Sequence, residues 1–114
     1  MANTFKLKTK AGIDTSLATI YTVPASKTAV VIGLTISNIK GSSVTASVQV
    51  SSNTVDVETN ADVYVVKDIP IPAGSSVEVM GGNKIVLQTT DILKVSGSVT
   101  DAVDAVLSIM ESDV

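Results

Sequence analysis

The chain of 114 residues contains no cysteine, histidine or tryptophan, and all eight of its basic residues are lysines. Each absence removes a class of function. Without cysteine there is neither a disulfide framework nor a thiolate metal site. Without histidine or cysteine, triads, imidazole-metal centres and thiol catalysis are excluded. Without arginine, bidentate recognition of phosphate or guanine is lost, and the net charge of −3 offers no basic footprint, so no nucleic-acid partner is expected. The aromatics are only Phe5, Tyr21 and Tyr64, too few for a stacking platform. Apolar runs such as residues 29–32 fall far short of the roughly 20 residues needed to span a bilayer, and residues 1–10 lack the apolar stretch of a secretory signal. The sequence thus predicts a soluble chain, made in the cytoplasm, with no membrane partner and no cofactor.

What is present is β-branched. The apolar share is 45%, mostly Val, Ile, Ala and Leu, residues that suit a pleated, half-buried surface. Between residues 28 and 38 the pattern has period two, with Val30, Ile32, Leu34 and Ile36 on one face and Val31, Gly33, Thr35 and Ser37 on the other. Residues 44–50 repeat the rule through Val44, Ala46, Val48 and Val50, and the two runs read as an antiparallel pair joined by a glycine-containing loop. A polar stretch, "SSNTVDVETNAD", reads as a long loop. The following "VYVVKDIPIPAGSSVEVMGGNKIVLQTTDILKV" supplies strands punctuated by a proline corner, a Gly-Gly-Asn hairpin and a Thr-Thr-Asp turn. Pro70 and Pro72 cannot donate to a ladder and therefore mark a sheet edge or corner. Residues 100–114 fit a strand with Val103, Ala105, Leu107 and Ile109 on one face, or a helix with Val103, Val106, Leu107 and Met110 as its stripe. The preceding strands, which need a partner, favour the strand. The expected fold is all-β, an antiparallel sandwich of about eight strands, jelly-roll-like or Ig-like. Residues 1–16 form an N-terminal arm or edge strand and residues 17–114 a single domain.

The candidate chemistry is sparse. No G-x-S-x-G elbow or Ser-x-x-Lys pattern surrounds any hydroxyl, so no enzyme is predicted. Asp56, Glu58 and Asp62 could contribute to a cation site, but "DVETNAD" lacks the EF-hand ligand order, and a solvated acidic loop is the simpler reading. Asp91, Asp101 and Asp104 could meet at one end of a sandwich, but scattered surface charge is the simpler reading. "GGNK" lies between strands, where a tight turn explains its glycines better than a phosphate loop. In "FKLKTK", a strand places Lys6, Lys8 and Lys10 on one face and Phe5, Leu7 and Thr9 on the other. That pattern suits either a charged edge that blocks unwanted pairing or an arm that docks on an acidic neighbour. Phe5, Lys6, Leu7, Lys8 and Lys10 are accordingly the candidate assembly contacts, while catalytic, cofactor-binding and metal residues are absent from the reading.

"YTVPASKTAVVIGL", "PIPAGSS", the Gly-Gly turn with "KIVL", and "DILKV" together resemble a group of small virion structural proteins of tailed bacteriophages, of the marine and cyanobacterial phage type. The likeness covers the chain from about Leu17 onward, with Ser26 where the pattern has glycine. The resemblance implies a virion-located β-sandwich subunit, a capsid decoration or cement protein or a neck or tail accessory. Its partners would be other virion proteins and, as a homo-oligomer, further copies of itself. The alternative is a carbohydrate-binding or adhesin-like sandwich module.

Overall fold

The computed structural model describes residues 3–114. The elements are β1 (Asn3–Ile13), β2 (Ala18–Thr22), β3 (Lys27–Asn38), β4 (Val44–Ser51), β5 (Val63–Ile71), β6 (Ser76–Glu78), β7 (Ile85–Leu87), β8 (Ile92–Gly97) and β9 (Val103–Asp113). Among the described residues there is no helix. One sheet has the order β1-β9-β3-β6, with β7 also paired to β3; the other has the order β2-β8-β4-β5. Every pairing is antiparallel, and the two sheets close on a shared apolar core, so the fold is a β-sandwich. The ninth strand is β1, the segment expected as an arm or edge strand; residues 1 and 2 of that segment lie outside the described residues.

The core is built by alternation. In the first sheet, Leu34 and Ile36 of β3 and Val103, Ala105, Leu107 and Ile109 of β9 point inward; Val44, Ala46 and Val48 of β4 and Leu93 and Val95 of β8 meet them from the second. Residues 103–113 are therefore a strand, and the helical stripe is excluded, because β9 lies between β1 and β3 and hydrogen-bonds to both.

Three local expectations are corrected. The inward face of β3 does not run through Val30, Ile32, Leu34 and Ile36. Its ladder with β9 shifts register between Val31 and Gly33, and one extra residue in a strand reverses the parity on either side of it. Ala29 and Val31 are therefore buried before the bulge and Leu34 and Ile36 after it, leaving Ile32 39% exposed. The Glu78 carboxylate holds the bulge, accepting hydrogen bonds from the backbone N–H of Leu34 (3.1 Å) and the hydroxyl of Thr35 (3.0 Å). Val31→Ala is thus expected to cost about 2 kcal/mol and Ile32→Ala less than about 1 kcal/mol. Paired urea unfolding curves check the order, and equal losses would contradict the bulge.

Second, β3 and β4 are not a hairpin, since they belong to opposite sheets. Asn38 makes the crossing. Its buried side-chain amide donates to the carbonyls of Ser42 (2.8 Å) and Ile71 (3.0 Å), and its Oδ1 accepts from the Lys40 N–H (2.7 Å). Third, the Gly-Gly-Asn segment does not join a hairpin. β6 pairs with residues 35–37 and β7 with residues 29–31 of the same strand β3, so the turn moves the chain along one neighbour. Gly81 and Gly82 have φ of +58° and +88°, a pair of left-handed conformations that glycine adopts at no steric cost. Pro70 lies on β5, an edge strand of its sheet.

Candidate functional site

β1 is an 11-residue strand with one side paired to β9 and the other at the sheet edge. Its register, Lys6 opposite Ile109 and Lys8 opposite Leu107, puts the lysines on the side of the sheet that faces the second sheet. Phe5 and Leu7 point the other way, 72% and 65% exposed. The bulge at the end of β1, where Gly12 has φ +59° and donates its N–H to Asp104 Oδ1 (2.9 Å), turns Ile13 into the core.

The outer face of the first sheet is apolar along one row. Phe5 is opposite Met110, Met110 opposite Val30, and Val30 opposite Val86. Leu7, Ile32 and Val106 add exposed hydrocarbon near this row, on a face that also carries Thr9, Ser108 and Ser112, and within the row Val30 and Met110 are half-buried.

The inner side of the same strand does the opposite. Glu111 continues the inward alternation of β9 past Ile109 and is 3% exposed. Its carboxylate accepts a hydrogen bond from the Tyr21 hydroxyl (2.5 Å) and forms an ion pair with Lys6 Nζ (2.9 Å). One side chain thereby joins β1, β9 and β2, tying the two sheets together at their open flank. The hydrogen bonds from Tyr21 and Lys6 hold the Glu111 carboxyl below its ordinary range, outweighing the effect of burial. Burial, then the bond to Glu111, pushes the Tyr21 phenol well above its ordinary value. Sequence alternation alone could have flagged Glu111, since it falls at the next inward position of β9.

Of the five residues singled out in β1, Lys6 therefore has an internal partner. Lys8 Nζ lies 6.0 Å from the centre of the Tyr21 ring, the outer limit of a cation–π contact. Among the described residues Lys10 has no ion-pair partner.

The acidic candidates do not assemble. Asp62 Oδ1 accepts from the Ser51 hydroxyl and the Ser52 N–H, while among the described residues no group of three or more His, Cys, Asp or Glu side chains converges. Asp91 is 4% exposed and organises a network with the hydroxyls of Ser52 (2.5 Å) and Thr54 (3.3 Å) and the Gln88 N–H (2.9 Å). Asp101 and Asp104 lie at the other end of the sandwich, beside Asp14 and Gly12. Asp91 is separated from Asp101 and Asp104 because β8 runs along the sandwich between them, so the three do not meet. Beyond Asp91 the loop of residues 52–62 carries two bare hydrophobic residues, Val55 at 64% and Val57 at 91% exposure. Tyr64 is partly covered by Lys67, whose Nζ lies 5.0 Å from its ring centre.

No protein-family model and no curated protein matches this chain. Among solved structures, a chain of the Bacillus endospore appendages, a family of disulfide-linked pili, aligns at TM-score 0.49 and 16% identity, covering 99% of this chain and 88% of that one. A chain of the T13 particle of infectious bursal disease virus aligns at TM-score 0.56 and 11% identity over 96% of this chain. This chain spans about 30% of that viral chain. At such identity the likeness to the viral particle chain is one of fold, and it places this protein among the β-sandwiches.

Proposed function

We propose that the protein is a non-enzymatic structural subunit of a phage particle, a capsid decoration or cement protein or a neck or tail accessory, acting through protein–protein contacts. The observation that carries this reading is the outer face of the first sheet, where Phe5, Met110, Val30 and Val86 form an apolar row ending at the free edge of β1. Phe5, Leu7 and Val86 are mostly exposed and Met110 and Val30 half-buried, and apolar surface grouped in this way supports a reading of the face as a contact surface. The phage-like motifs from Tyr21 onward supply the class of particle, and the sandwich is compatible with it. For the carbohydrate-binding alternative, Tyr21 is buried, and the two exposed rings, Phe5 on β1 and Tyr64 on β5, belong to different sheets, so they do not form a joint platform for a sugar.

The test is the protein composition of purified particles of the phage that encodes the chain. The subunit is expected in them at high copy number, and Phe5→Ser combined with Leu7→Ser should lower its occupancy by roughly tenfold while the isolated protein stays folded. Its absence from wild-type particles would refute the reading.

A further inference from the structure

We propose that copies of this chain join head to tail, the loop tip at residues 54–59 of one copy adding as a strand to the free edge of β1 in the next. The inference rests on the reading of the protein as an assembly subunit and names the partner as a second copy.

Two surfaces on one molecule carry complementary patterns. The edge strand reads Phe5, Lys6, Leu7, Lys8, with its apolar and basic side chains on opposite sides of the sheet. The loop tip reads Val55, Asp56, Val57, Glu58, and an extended chain would divide its valines from its carboxylates in the same way. Placed beside β1, the tip would set Val55 and Val57 against Phe5 and Leu7, and Asp56 and Glu58 against the lysine side. Both apolar pairs are otherwise left in water, with Val57 at 91% and Phe5 at 72% exposure. Lys6 already serves Glu111, so Lys8 and Lys10 are the cations available to the incoming carboxylates. In its own molecule the tip is closed by the bridge between Val55 and Thr59, with hydrogen bonds from the Asn60 N–H to the Thr54 carbonyl (2.8 Å) and from the Asp56 N–H to the Glu58 carbonyl (3.4 Å), and is anchored at its base by the Thr54 hydroxyl on Asp91. Opening it exchanges these for main-chain hydrogen bonds along the edge.

The same charges argue against the other self-pairing. Two β1 edges meeting across a two-fold axis at Leu7 would put Lys6 of each opposite Lys8 of the other, and like charges directly opposite are destabilising. Nor can the tip reach its own β1. That strand lies at one flank of the sandwich, whereas the tip follows β4 at the flank of β5 and β7. The contact therefore joins different surfaces of two copies. Heterologous contacts of this kind propagate into rings or filaments rather than closing as a dimer.

Two charge-reversed proteins test it, one carrying Lys8→Glu and Lys10→Glu, the other Asp56→Lys and Glu58→Lys. Mass is measured by light scattering over a concentration series, with circular dichroism confirming that each is folded. The wild type is expected to grow beyond a dimer. Each variant alone should require at least about 100-fold higher concentration to do so. An equimolar mixture should recover assembly, because each altered surface then finds its complement on the other protein. Undiminished assembly of either folded variant, or failure of the mixture to recover, would overturn the proposal. A wild type that stays monomeric throughout the series would overturn it too. None of these results bears on the presence of the subunit in purified particles, which tests the functional reading separately.

Discussion

Glu111→Ala is expected to destabilise the fold by about 3 kcal/mol, at the low end of what breaking a buried ion pair costs, because Lys6 retains access to water while Tyr21 does not. The loss acts at the flank where β1, β9 and β2 meet, so the amides of β1 should exchange with solvent faster than those of β3. The effect also depends on pH. The folded-state pKa of Glu111 is lowered by its bonds from Tyr21 and Lys6, so the unfolded chain takes up the proton first as pH falls. The contribution is fully present above the ordinary glutamate value of about 4.3 and is lost as pH drops through the lower folded value. Glu78 titrates in the same direction. Burial raises its pKa, but the hydrogen bonds from the Leu34 and Met80 N–H groups and the Thr35 hydroxyl lower it by more. The difference between wild type and Glu111→Gln isolates Glu111: it should be largest near neutrality and shrink below about pH 4. Urea unfolding between pH 2.5 and 7 measures it, and a pH-independent difference would contradict the cluster.

Gly97→Val is expected to be comparably severe, with a loss of about 3 kcal/mol or more and a fall in Tm of roughly 10 °C. A Cβ at position 97 would stand 2.6 Å from the Cβ of Ala102 and 3.4 Å from the Ile13 carbonyl oxygen. None of these neighbours can easily move. Gly97 donates its N–H to the Asp14 carbonyl (2.8 Å) and Ala102 to the Ile13 carbonyl (2.9 Å), while Ala102 and Ile13 are in the core. Gly41→Ala provides the control, since a Cβ there meets nothing within 4 Å, and thermal unfolding should change little. Similar losses at both glycines would show that the close approach at Gly97 is not what restrains it.

The class of fold and most of the strands follow from the order of residues alone. Period-two alternation is a local property, dictated by the geometry of one strand against one core, so Val44, Ala46 and Val48 or Val103 through Ile109 could be assigned to the inside without knowing what they face. The same alternation divided Phe5 and Leu7 from the lysines of β1. Ser26, beside the proline corner, adopts a φ of +61°, a conformation that glycine favours.

Which strands are neighbours is settled by long-range packing. Whether β3 and β4 pair or lie in opposite sheets depends on the distant strands that each takes as partner, and neither that pairing nor the buried bonds of Asn38 at the crossing is reported by periodicity. The bulge in β3 was hidden for the same reason. "AVVIGLTI" is apolar at consecutive positions, so either parity fits, and the choice fell to the carboxylate of Glu78, far away in the chain. The buried cluster of Glu111, Lys6 and Tyr21 needs three strands from two sheets. Long-range pairing brought together residues whose local sequences contain no trace of one another, and it alone left the β1 edge and the 54–59 loop tip on opposite flanks, where only another molecule can join them.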